Sequence, residues 1–186
     1  MNICKFFIFL FFVIELIVVC MAEDWPRFTR KIRASEGESG KIDIAAQFEQ
    51  RRNRSFVYLQ SPNSGLIEMD EAPPDFHDHN AVDIVLTISS MMKAKPFPIL
   101  QVMRKTVADG SNTSGFQRTT LISTNGKIST VSGIIGIDLI SLEEDSARKL
   151  GNIKSEKGET VIYTLDRLGI PLVEIATAPD IKSPEH

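Results

Sequence analysis

Glu143, Glu144 and Asp145 stand together where the alternating apolar run of residues 134–142 stops, and Glu174 interrupts the otherwise apolar stretch of residues 171–175. A carboxylate at a buried strand position is costly unless it is protonated, paired with a cation or bound to a metal. Scattered acids of this kind suit a hard divalent cation, the usual companion of nucleotide phosphates. A plainer arrangement satisfies the same residues: Glu174 turned to solvent, and Glu143–Asp145 capping a following helix.

The second chemical feature is the loop from Arg104 to Arg118, RKTVADGSNTSGFQR. It combines glycines, hydroxyls and backbone donors with Arg104, Lys105, Asp109 and Arg118, a mixture able to cradle phosphate groups. It is not a Walker A loop, because no Gly-Lys-Ser/Thr ends it before a helix. Most loops of such composition are plain turns. Arg167, in LDRLGIP (165–171), offers a partner for an acidic group, or simply a turn with Gly169 left-handed. His77 and His79 flank Asp78 in an acidic stretch that suits a solvent loop better than a metal site. The chain has no CxxC pair and no Ser-His-Asp order. Two glycosylation sequons begin at Asn53 and Asn112 and matter only in a secreted chain.

These residues need elements to hold them. Residues 43–49 have helical spacing. Residues 55–60 and 66–70 alternate around the turn-forming SPNSG, which predicts a β-hairpin. Residues 79–94 place Ala81, Val82, Val85, Ile88, Met91 and Met92 at helical spacing, with Asn80 or His79 at the cap and the methionines in the core. Strands follow over residues 99–104 and 118–124. Asn125-Gly126 is a strong two-residue hairpin signal, leading into residues 127–131. A half-buried strand follows over residues 134–142, then a short helix from Ser146 to Leu150, then strands at 161–164 and 172–175. This order of strands joined by hairpins, with one or two long helices, predicts an α+β domain: an antiparallel sheet with flanking helices.

Composition sets the outer limits. The chain has 186 residues, 42% hydrophobic and 24% charged, which excludes a disordered or fibrous protein. With 21 Lys+Arg against 24 Asp+Glu, bulk charge alone indicates no nucleic-acid partner. Two cysteines, Cys4 and Cys20, cannot build a disulfide framework. Residues 6–19 are apolar except for Glu15, follow Lys5 and precede small residues, which reads as a leader, a short anchor or a misassigned start. The chain therefore divides into an apolar segment, residues 1–22, and a domain, residues 23–186.

Three motifs, VMRKTVADGSNTSGFQRT (102–119), SLEEDSARKL (141–150) and LDRLGIPLVEIATAPDIKSPE (165–185), closely resemble the GatB/GatE family of amidotransferase subunits. The DGSNTSGFQRT loop falls on the archaeal GatE side, and the likeness extends more weakly upstream over residues 28–186. The resemblance implies a cradle-like catalytic domain related to that of glutamine synthetase. It implies an ATP-dependent enzyme that converts Glu-tRNA(Gln) to Gln-tRNA(Gln) through a γ-phosphoryl-glutamyl intermediate. It further implies ATP and Mg²⁺ as cofactors, a GatD-type glutaminase partner supplying ammonia, charged tRNA(Gln) as substrate, and a cytoplasmic location. In that family Glu143, Glu144 and Glu174 match the catalytic, metal-holding carboxylates. Arg104, Lys105, Ser111, Ser114, Arg118 and Arg167 are candidates for phosphate or substrate contacts. The family's opening Gly-Leu-Glu-Ile-His strand, its insertion domain and its tRNA-gripping tail are not in this sequence. The expectation is a fragment, inactive alone, or a non-catalytic remnant that binds tRNA or a partner.

Overall fold

A computed structural model of the chain describes residues 25–31, 40–156 and 158–184. The apolar segment of residues 1–22, with its leader or anchor, lies outside the described residues. So does any helix beginning after Ser183-Pro184. Among the described residues there are eight strands and two helices: β1 (Arg27–Arg30), α1 (Ile44–Arg51), β2 (Arg54–Leu59), α2 (His79–Met91), β3 (Lys95–Thr106), β4 (Phe116–Thr130), β5 (Gly133–Glu144), β6 (Arg148–Ser155), β7 (Gly158–Thr164) and β8 (Pro171–Thr177). The α+β character and the antiparallel bias hold, but the strands form two four-stranded sheets, β1-β2-β7-β6 and β3-β4-β5-β8. The chain divides into two compact units, each containing one of them.

Of the described residues, the first unit comprises 25–31, 40–72, 108–113, 147–156 and 158–168. Its β2 and β7 run parallel, and the other pairs run antiparallel. The register sets Phe56 against Val161 and Tyr58 against Tyr163, so alternate residues of both strands build one apolar face. The rings of Phe28 and Tyr58 stack at 5.1 Å and those of Tyr58 and Tyr163 at 5.8 Å. Burial raises both phenols, Tyr163 to about 12 and Tyr58 further, so both remain donors. They use that capacity on the segment of residues 108–113. Tyr58 donates to the Gly110 carbonyl at 2.6 Å and Tyr163 to that of Asp109 at 3.0 Å. The Asp109 carboxylate takes the Ser111 amide and hydroxyl, closing a turn.

The expected hairpin over residues 55–70 does not form. β2 pairs with β1 and β7, while residues 66–70 turn back on themselves through Met69 N to Gly65 O and Glu71 N to Leu66 O. Apolar alternation there is satisfied by burying Met69 against the aromatic core, with the Met69 and Glu68 carbonyls taken by Arg30 and Thr113. The short helix expected at residues 146–150 is also absent: β6 starts at Arg148 and pairs with β7, so tertiary pairing overrides local propensity.

Of the described residues, the second unit comprises 73–107, 114–146 and 169–184. Its sheet is antiparallel throughout, and α2 covers one face. Asp78, not Asn80 or His79, caps α2, accepting from Asn80 N at 2.8 Å. The stripe Ala81, Val85, Ser89 is buried against Ile122, Ile137, Ile140 and Leu142. Ser89 is the polar member of the stripe, and it is satisfied by the Val85 carbonyl and by Ser123 Oγ at 2.7 Å. The methionine pair splits: Met92 packs on this core, but Met91 is 78% exposed, one helical step round.

Asn125-Gly126 is not a hairpin either. It lies inside β4, and the chain reverses at Val131-Ser132 instead, with Thr130 opposite Gly133. A Cβ at Gly126 would lie 3.0 Å from the Met92 carbonyl, and Lys127 N donates to that same oxygen at 2.8 Å. The dipeptide lets β4 bend closely past the end of α2, with Asn125 at φ 56°.

Candidate functional site

β5 and β8 pair with Ser141 opposite Glu174 and Glu143 opposite Leu172. Alternation then places Glu143 and Glu174 on one face as diagonal neighbours, within reach of each other's long side chains. Across the sheet, Thr119 of β4 lies opposite Glu143, and Lys105 of β3 lies opposite Gln117. Lys105, Thr119, Glu143 and Glu174 therefore line the same face. Glu143 Oε1 accepts from Lys105 Nζ at 3.2 Å and from Thr119 Oγ1 at 3.0 Å. Lys105 Nζ also stands 4.0 Å from Glu174 Oε1.

The two acids differ in burial, and Glu174 takes the solvent-facing alternative left open by the sequence. Glu143 is 3% exposed, whereas the Glu174 side chain is 50% exposed. The reason is strand position: β5 is interior to its sheet and β8 lies at its edge. A hydrogen bond with Glu143 raises the Glu174 carboxyl above its ordinary value; partial burial and the charge of Glu143 add to the rise, while Lys105 opposes it.

Because the folded chain holds a proton on Glu174 more tightly than the unfolded one, it contributes stability below pH 4.5 that is lost as pH rises through the raised value. Glu174→Gln is expected to flatten the pH profile of unfolding above pH 4.5, measured as denaturant midpoints; an unchanged slope contradicts the raised Glu174 carboxyl. His77 acts in the opposite sense. Burial and then Arg118 lower it from its ordinary 6.5, so its contribution is lost as pH falls, and the Gln variant leaves that limb intact.

Glu144 does not join the pair. As the next residue along β5 it projects to the other face, where Arg118 grips one of its oxygens through Nε at 2.9 Å and through Nη2. Arg118 also donates to the Asp75 carbonyl, and His77 Nε2 lies 2.6 Å from the Thr120 hydroxyl on that face. Arg118 thus has its donors engaged by this chain. Arg104 pairs across from Arg118, its guanidinium 5.9 Å from the centre of the Phe116 ring. Ser114 Oγ donates to the Phe116 carbonyl at 3.0 Å. Ser111 and Arg167 belong to the first unit, Ser111 within the Asp109 turn. Of the nine residues singled out, the structure brings together Lys105, Glu143 and Glu174. Sequence reasoning missed Thr119; only the β4–β5 register reveals it.

Among the described residues, no three His, Cys, Asp or Glu side chains converge to hold a metal. Two carboxylates still suit Mg²⁺, which keeps much of its water and takes further oxygens from phosphates. Glu143 and Glu174, on one sheet face and both within 4.0 Å of Lys105 Nζ, offer such a pair of oxygen donors, so the residues present fit that ion.

Comparison with known proteins agrees with the motifs. The family model of the GatB/GatE catalytic domain matches residues 44–186. The chain is 48% identical over 160 residues to the GatE subunit of the glutamyl-tRNA(Gln) amidotransferase of Thermoplasma acidophilum, covering 86% of this chain and 26% of that protein. It is 51% identical over 157 residues to the GatE of Sulfurisphaera tokodaii, covering 84% and 24%. The match to the GatE of Methanosarcina acetivorans is 48% over 159 residues. The chain thus spans about a quarter of the length of the curated relatives it matches. With the motifs, the sheet that carries them and these matches in agreement, the chain belongs to the GatB/GatE catalytic domain family.

Proposed function

We propose that this chain supplies the phosphoryl-transfer face of a protein that amidates Glu-tRNA(Gln) at the expense of ATP. The observation that carries the reading is the Glu143–Glu174 carboxyl pair with Lys105 beside it on one sheet face. In the reaction, a γ-carboxylate oxygen of the tRNA-bound glutamate attacks the γ-phosphorus of ATP, and ADP leaves. Ammonia then attacks the acyl phosphate carbon, and inorganic phosphate leaves with the amide formed. Glu143 and Glu174 would hold Mg²⁺, which when bound would neutralise phosphate charge. Thr119 fixes the orientation of Glu143. Lys105, half exposed, turns its ammonium from Glu143 toward a phosphate oxygen. Glu144 and Arg118 instead tie β4 and β5 to the segment before α2.

The same reading takes ammonia from a GatD-type partner, a cradle-like fold related to glutamine synthetase, and a cytoplasmic setting. No helix among the described residues is long and apolar enough to cross a membrane.

The test is Mn²⁺ binding by this chain, followed by the ion's paramagnetic signal. Glu143→Gln and Glu174→Gln are each expected to weaken binding at least tenfold; equal binding rejects the metal site. A remnant that only docks tRNA or a partner predicts retention of those macromolecules with no Mg²⁺-dependent ATP use by the assembled enzyme.

A further inference from the structure

Arg148 opens β6 with its Cα opposite Thr164 of β7, and Thr164 in turn pairs with Leu59 of β2. This register puts its side chain on the Leu59–Thr164 face of the first unit's sheet, away from the aromatic core of Phe56, Tyr58 and Tyr163. Its Nη1 is closed off from solvent and has no hydrogen-bond partner among the described residues. Thr164, fully buried opposite it, directs its hydroxyl to the Asp166 carboxylate instead. Among the described residues, no other arginine has a buried nitrogen left this way. Arg30 is met by Asp70, Thr113 and Met69, and Arg54 by Glu49 and Glu159.

A guanidinium cannot relieve such a position by losing its proton. Buried donors without acceptors are rare in folded proteins, and a missing ion is one of the standing reasons for them. An acidic side chain of this chain would be the ordinary solution, and none among the described residues meets Nη1. We propose that Arg148 is an oxyanion-binding residue of the first unit, with Nη1–H donating to a phosphate or carboxylate oxygen of a ligand. The planar fork of the guanidinium matches either group. This assignment does not depend on metal binding by Glu143 and Glu174.

The test is equilibrium unfolding of this chain in EDTA at constant ionic strength, with chloride replaced stepwise by inorganic phosphate or by glutamate. The parent chain is expected to gain stability with one of the two, and the responding anion identifies the group as phosphate or carboxylate. Arg148→Met should weaken the apparent affinity at least tenfold, and Arg148→Lys should retain part of it. In chloride alone, Arg148→Met should be at least as stable as the parent, because it removes a buried donor without an acceptor. The proposal is overturned by a parent that responds to neither anion, by an equal response from Arg148→Met, or by an Arg148→Met chain that is less stable or does not fold.

Discussion

Gly110→Val is expected to unfold the first unit or to lower its stability by about 4 kcal/mol, the sum of left-handed strain and overpacking of similar size. Gly110 sits at φ +87°, where a β-branched residue is strained. A Cβ built there falls 2.3 Å from Phe56 Cδ1. Phe56 has nowhere to retreat: it is 1% exposed and lies in the core beside the Tyr163 ring, 6.3 Å between centroids. Moving the loop instead would break the Tyr58 and Tyr163 bonds to the carbonyls of residues 110 and 109. A loss of this size is a large part of the roughly 5–15 kcal/mol that holds a domain folded. Gly115→Ala is the control, since its φ is +77° but nothing lies within 4 Å of the added carbon. It should cost only about 1 kcal/mol, the strain alone. Denaturant unfolding followed by Trp25 and tyrosine fluorescence reads both. Equal midpoints for the two variants would show that Phe56 does not constrain the loop.

The second large effect is catalytic. In a full-length GatE carrying the same carboxyl pair, the alanine variant at the position of Glu174 should lower γ-phosphate transfer to Glu-tRNA(Gln) by about a thousandfold, since metal stabilisation of phosphoryl charge is worth several kcal/mol. Affinity for tRNA should stay within about twofold, because a half-exposed edge-strand acid contributes little favourable charge to a polyanion. Single-turnover transfer from labelled ATP and filter binding separate the two quantities. Unchanged ATP turnover removes Glu174 from the reaction. The corresponding variant at Glu144 should behave differently: it loses an Arg118 pair on the other face, and so lowers stability before it touches chemistry.

What was local in origin was legible from the residues. Helical spacing over residues 43–49 and 79–94 located α1 and α2, though Asp78 and not Asn80 or His79 caps the second, and alternation located β2, β5, β7 and β8 to within a few residues. The family motifs offered Glu143, Glu144 and Glu174 as candidates without separating them. Glu144 is separable from Glu143 in principle, since adjacent residues of a strand cannot share a face. A strand that ended before both would leave them free to act together, but β5 runs through Glu144. Non-local contacts decided the rest. Asn125-Gly126 carries hairpin chemistry, but the close passage of β4 by the Met92 carbonyl uses it as a bend. Residues 146–150 can begin a helix, but pairing with β7 draws Arg148 onward into a strand. The burial of Glu143 and the exposure of Glu174 follow from interior and edge positions in one sheet, and Thr119 meets Glu143 only through the register of β4 on β5. A residue's type and its neighbours in sequence set its local preferences. Which strand lies beside it, and so what its charge meets, is set by contacts distant in the chain.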